Sequence, residues 1–186
     1  MFSPPRVGKE ALKFGLEVGD AMDLTTGWDF NREDYRLKAE RYLDEHQPLA
    51  VIGSPPCTPF SPLQTLSPPS EAKRTEWREG VRHMEFVAKL YKKQVEGGRL
   101  FLHENLAHAK PWALPCIKKV MREVGVVVVK GDQCMLGQHD RVSGLPFRGA
   151  TAWGTNSDRL KEVLGMQCDD THPHQPIRGT NAYGVR

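Results

Sequence analysis

"LAVIGSPPCTPFS", residues 49–61, decides the fold. Leu49 to Ile52 form an uninterrupted apolar run, which reads as a short strand buried on both faces rather than a half-exposed one. The run breaks at Gly53 into a proline-rich loop that reaches about Pro69, and Cys57 follows Pro55-Pro56 directly. Proline restricts the backbone on either side of the thiol, so Cys57 is held at the mouth of a strand. A second apolar run, Val126 to Val129, repeats the pattern farther along.

Helical periodicity fills the intervals. Residues 31–47 read as a helix with Asn31 as its cap, and residues 70–98 as a long helix capped by Ser70 and stopped by Gly97-Gly98. Along the long helix Trp77, Val81, Met84, Val87, Ala88, Tyr91 and Val95 recur at core-facing spacing. "RLFLHEN" (99–105) and "ATAWGTN" (150–156) read as strands, residues 111–125 and 157–165 as short helices. "KEALKFG" (9–15) reads as a helical turn or two, and "LEVG" (16–19) as a brief strand. Alternating strands and helices with continuous apolar strands predict an α/β fold, a Rossmann-like, mostly parallel sheet with helices on both faces. In such sheets ligands bind beyond the carboxyl ends of the strands, which is where Cys57 and Glu104 fall.

The 186 residues suit one domain, and 39% hydrophobic with 26% charged residues is ordinary for a globular chain. We expect a domain over 1–166 and a polar tail over 167–186. A net charge of +3 permits a nucleic-acid partner without arguing for one. The start, "MFSPPRVGKE", has no apolar run, and no stretch approaches a membrane span of ~20 residues. The four cysteines are scattered without a CxxC pair, so reduced thiols and a cytoplasmic or nucleoid-associated, non-secreted protein are expected.

The loop and the strand end suit one chemistry. A thiol beside a carboxyl group desolvated enough to keep a proton can activate an electron-poor ring covalently. "GSPPCTPFS" resembles the catalytic loop of the DNA cytosine-5 methyltransferases, Gly-Pro-Pro-Cys-Gln-x-Phe-Ser, and "FLHENLAH" resembles their Glu-Asn-Val motif. "VGVVVVKGDQCMLGQHDR" is a weaker echo of a strand followed by Gln-x-Arg-x-Arg. The resemblance covers roughly residues 49–141 and implies a class I methyltransferase fold that transfers a methyl group from S-adenosylmethionine to cytosine C5 in DNA. RNA or a free cytosine nucleotide are alternative substrates.

By that likeness Cys57 adds to cytosine C6, Glu104 protonates N3, and Arg141 completes the catalytic set. The resemblance also implies Phe2, Ser3, Asp20, Asp23 and Pro55 for the cofactor, and Pro56, Ser61, Asn105 and Gln138 for the substrate. Trp28 is an alternative adenosine contact or a packed core ring.

Three departures accompany the likeness. "FSPPR" stands where the family has its cofactor-cradling glycine loop, Thr58 replaces the loop glutamine, and no target-recognition domain is recognisable. The other reading is therefore a catalytically silent relative that binds nucleic acid or a partner methyltransferase; a homodimer supplying a missing strand is a further expectation.

Other chemistries fit less well. His103-Glu104 with His108 misses the HExxH metalloprotease spacing by one residue, and the zinc-deaminase pattern fails at Leu102 and Phe60. "CDDTHPH" (168–174), with Cys134 and His139 upstream, has a metal-like spacing, but Cys and His in a polar tail read most simply as solvated, and no metal is expected. Arg74, Arg78 and Arg82 recur as a stripe that would face phosphate or solvent.

Overall fold

A computed structural model describes residues 6–66 and 68–176; Phe2 and Ser3 lie outside them. The helices are α1 (Arg6–Lys13), α2 (Glu33–His46), α3 (Glu71–Glu96), α4 (Pro115–Val120) and α5 (Asp158–Leu164). The strands are β1 (Ala50–Gly53), β2 (Leu100–Leu106), β3 (Val127–Asp132), β4 (Phe147–Arg148), β5 (Ala150–Thr155) and β6 (Gln175–Pro176).

The main sheet has the order β1-β2-β5-β3. β1 and β2 pair in parallel, and β5 is antiparallel to both β2 and β3. The fold is α/β, but the expectation of a mostly parallel sheet is corrected to a mixed one. The cause is the connection. A parallel return needs a crossover, usually helical, across one face. Between β3 and β5 the chain makes a 3-10 turn at Gln133–Leu136, a hairpin-like loop and the two-residue β4, with no crossover helix, so β5 starts at the edge where β3 ended. β1, β2 and β3 consequently share one direction, and their carboxyl ends lie along a single edge.

Helices cover both faces. On one, Tyr91 of α3 stacks on Phe101 of β2 at 4.7 Å between ring centroids, and Ile117 and Val120 of α4 complete the core. α3 starts where expected, with Ser70 Oγ accepting from the Lys73 N–H at 3.2 Å. Of its predicted core residues Met84, Val87, Ala88 and Tyr91 are buried, while Trp77 lies at the rim, edge-on to Phe60. α2 forms an outer layer on α3, tied by Lys89–Glu40 and Lys93–Asp44 ion pairs, each at 2.7 Å. Asn31 does not cap α2; Arg32 occupies that place without a side-chain cap. Arg74 and Arg78 both pair with Glu71 along α3, which fits a solvated stripe.

On the other face α5, capped by Ser157, covers β3 and β5. Residues 16–19 form no strand, because Leu16 and Val18 find no sheet edge and stay exposed. Among the described residues no helix is long and apolar enough to cross a membrane.

The described residues beyond α5, up to Pro176, pack back on the sheet. The Asp132 N–H donates to Met166 O at 2.9 Å, and β6 pairs with β4. Gly131 makes this possible, since a Cβ there would lie 2.1 Å from the Leu164 carbonyl oxygen. Backbone cannot yield as a flexible side chain does. Gly131→Ala is expected to cost about 2 kcal/mol, lowering Tm by about 6 °C in a thermal melt. A Tm within a degree of wild type would show that the contact is not tight in solution.

Candidate functional site

The parallel register between β1 and β2 sets the site. Gly53 lies opposite His103, so the next residues, Ser54 and Glu104, leave the pair side by side. Ser54 Oγ donates a hydrogen bond to Glu104 Oε2. The loop that carries Cys57 is thus tied at its root to the carboxylate expected to work with it.

Cys57 is half-buried, with φ −99° and ψ −2°. This is the sparsely populated bridge region, in which active-site residues are often found. Its carbonyl accepts from the Phe60 N–H at 3.0 Å, opening a short 3-10 turn at Thr58–Phe60. Pro55 is buried, and Pro56 and Ser61 are half-buried on the same loop. Phe60 is 2% exposed and anchors the turn against Trp77 of α3 at 4.8 Å. Gly80 lets the loop come this close: a Cβ there would meet Pro59 Cβ at 3.0 Å and Phe60 Cζ at 3.1 Å.

Glu104 is half-buried, and desolvation raises its pKa above the ordinary carboxylate value, while the Ser54 bond opposes the rise. The neighbouring residues of β2 point the other way. His103 is fully buried beneath Tyr91, whose Oη lies 3.1 Å from His103 Nδ1. Burial lowers the His103 pKa to about 4, so the ring is neutral at physiological pH. Asn105 is buried too; its Oδ1 accepts from the Leu106 N–H, and its Nδ2 has no partner among the described residues. It therefore belongs to the α3-side interior, on the opposite face from Glu104.

Gln138 and Arg141 are exposed on the loop after β3. That loop leaves the same sheet edge as the Cys57 loop, but β2 and β5 stand between, so its root is about 14 Å from that of β1 at ~4.8 Å per strand. Same edge, different ends: Glu104 is tied to Ser54 at the root of the Cys57 loop, whereas the loop of Gln138 and Arg141 leaves the far side of the sheet.

Of the residues expected to hold a cofactor, Asp20, Asp23 and Pro55 are described. Asp23 caps a 3-10 turn, its Oδ1 accepting from the Thr25 N–H at 2.8 Å and Thr25 Oγ1 at 2.7 Å. The Asp20 N–H donates to Tyr42 Oη at 3.1 Å, which fixes the backbone there. Trp28 is 6% exposed, with Lys38 Nζ 4.6 Å from its ring centroid, so it is the packed core ring. Asp23 and Trp28 thus have structural roles of their own, in a turn and in the core.

Sequence reasoning left out Ser54, although its place one residue beyond a strand, parallel to the one bearing Glu104, was a usable signal. Sequence reasoning groups Cys134 and His139 with 168–174 and reads them as solvated; the structure places Cys134, Cys168, His172 and His174 in one cluster, without His139.

Comparisons of the chain with protein-family models, with curated proteins and with solved structures give no significant match.

The raised pKa has a stability consequence. A carboxyl group whose folded pKa lies above its unfolded value contributes stability that is full below the unfolded pKa and is lost as pH rises through the folded one. Glu104→Gln, which keeps the shape without the charge, should therefore melt above wild type at pH 7. The gap should narrow as pH falls below the ordinary carboxylate range. A pH-independent gap in a calorimetric series would mean that Glu104 is not desolvated.

Proposed function

We propose that this chain is a cytosine-activating enzyme of the DNA cytosine-5 methyltransferase type, working through a covalent adduct between Cys57 and cytosine C6. The Ser54–Glu104 bond carries the reading, because it couples the proline-stiffened Cys57 loop to a carboxyl group with a raised pKa.

The chemistry divides between two side chains. The Cys57 thiol gives its proton to solvent, and the thiolate forms an S–C6 bond with the ring. The C5–C6 π pair shifts, and N3 takes the Glu104 proton, leaving a carboxylate held by Ser54. The product is an enamine, nucleophilic at C5. Pre-positioning of the loop by Phe60 and Gly80 lowers the cost of bringing thiol and ring together.

S-adenosylmethionine is the proposed methyl donor, as the class I methyltransferase likeness implies. The activation of the base itself needs only Cys57 and Glu104. DNA is the proposed substrate, with RNA and the free nucleotide as variants of the same chemistry.

The enamine makes a donor-independent test available. Solvent protonates C5, a base then removes the original C5 hydrogen, and the returning electron pair expels the thiolate from C6, so the C5 hydrogen is exchanged for one from water. Cytosine deuterated at C5, offered in single-stranded DNA, duplex DNA, RNA and the free nucleotide, should lose deuterium to water by mass spectrometry in at least one case. Cys57→Ser should abolish the exchange, and Glu104→Gln should slow it by about 10²–10⁴-fold. Cys116→Ser, a change beside the α4 core, should leave it intact.

One observation favours the silent-relative reading. Val7, Leu12, Phe14 and Leu16 are exposed near the amino end, and β1 is the sheet's terminal strand among the described residues. Such a border suits a partner methyltransferase chain. Full retention of deuterium in all four substrates, with Cys57 still open to a small alkylating reagent, would favour that reading over the enzyme.

A further inference from the structure

We propose that Cys134, Cys168, His172 and His174 form a closed, four-ligand site for a zinc ion that clamps the carboxyl-terminal segment to the end of β3. This inference does not depend on the methyltransferase reading.

The four ligand atoms all lie within 4.8 Å of one another. Cys168 Sγ is 3.7 Å from His172 Nε2 and 3.3 Å from His174 Nε2. A tetrahedral ion with Zn–S near 2.3 Å and Zn–N near 2.05 Å requires an S···N separation of about 3.6 Å, so two pairs already stand at bonding geometry. Two soft thiolates with two imidazoles is a donor set that selects zinc, and two thiolates neutralise its charge in a half-buried place. Four protein ligands leave no position open for substrate, which makes the site structural.

The surroundings are built for a thiolate. The Asp170 N–H points at Cys168 Sγ at 3.3 Å, a charge-assisted contact made possible by the left-handed backbone of Asp170, with φ 58°. The Cys168 N–H in turn donates to Asp132 Oδ2 at 2.9 Å. Cys134 is placed by the 3-10 turn that follows β3 directly. His172 and His174 are presented by the segment that enters β6, where the Gln175 N–H donates to Pro146 O at 2.8 Å. His139 is not part of the set: its Nδ1 lies 2.8 Å from Gly137 O.

Binding takes a zinc ion and two thiols to a neutral complex and releases two protons. The clamp brackets the loop bearing Gln138 and Arg141 between Cys134 and β4, so metal fixes that loop at the edge of the sheet.

The test uses the full chain. Purified without chelator, it should contain about one zinc per chain by elemental analysis. Exchange for cobalt(II) should give the visible spectrum of a tetrahedral thiolate complex. Cys168→Ser and His174→Ala should each weaken zinc binding by more than about 100-fold, while Cys116→Ser and His139→Ala keep it. His174→Cys should retain the ion and intensify the cobalt–thiolate charge-transfer band. If the ligand variants fail to fold, wild-type protein stripped by chelator and retitrated with zinc gives the same answer: one equivalent should restore protection from hydrogen exchange over 137–146. An octahedral cobalt spectrum, metal content indifferent to Cys168→Ser, or a metal-free Cys134–Cys168 disulfide would each overturn the proposal.

Discussion

The parallel pairing of β1 with β2 is the constraint on which the rest depends. Its register, Gly53 opposite His103, decides which side chains the strand ends deliver to each face. A slip of one residue would reverse every side chain, moving Glu104 into the α3-side interior and His103 to the outer face. Aromatic packing and one hydrogen bond hold the register: Tyr91 stacks on Phe101 and meets His103 Nδ1 from below, while Phe101 and His103 occupy successive inward positions of β2. The neutral imidazole and the phenol partner each other through His103 Nδ1, while His103 Nε2 is buried with no partner among the described residues. Core packing on one face thus fixes the position of the Glu104 carboxyl group on the other.

Glu104 gains its character from this division of faces. It stands at the boundary, half-buried, where desolvation raises its pKa without enclosing it. Had Glu104 and His103 exchanged faces, the carboxyl group would sit beneath Tyr91 with no access to a substrate, and the imidazole would titrate near neutrality. Asn105 follows the same alternation and loses contact with the loop side. The Glu-Asn pair that reads as one motif is split by the strand's two-residue period.

Elements whose signals were local were legible in the sequence. The apolar runs at Ala50–Ile52 and Val127–Val129, the Ser70 cap, the Gly97 stop and the Ser157 cap each encode their own conformation, and each stands close to its expected bounds. What escaped was set by pairing partners distant in sequence. β5 reads as a strand, yet its reversed direction follows from the short path out of β3, not from its residues. Residues 16–19 carry apolar character without a neighbouring edge to pair with, and stay irregular. Asp23 looked like a ligand contact because capping and binding draw on the same carboxylate, and only the Thr25 N–H shows which role it takes.

The cysteine and histidine cluster shows the same limit most clearly. Cys134 stands far from Cys168, His172 and His174 in the chain, and three soft ligands in a polar tail are indistinguishable from solvated residues until a fourth approaches. The approach is arranged by glycine and backbone: Gly131 admits the chain after α5 against β3, Met166 O bonds the Asp132 N–H, and the segment then crosses the end of the strand where Cys134 turns. Because β3 runs in the same direction as β1 and β2, this crossing occurs on the sheet edge that also bears Cys57 and Glu104. Four strands separate the edge into two ends, one built of proline, thiol and carboxyl group, the other of sulfur and imidazole. The reversed strand β5 joins them: it pairs with β2 at Glu104↔Trp153 and with β3 at Asp132↔Ala150, so its register transmits the position of one end to the other. A clamp on the far end therefore also restrains the frame in which Glu104 is held.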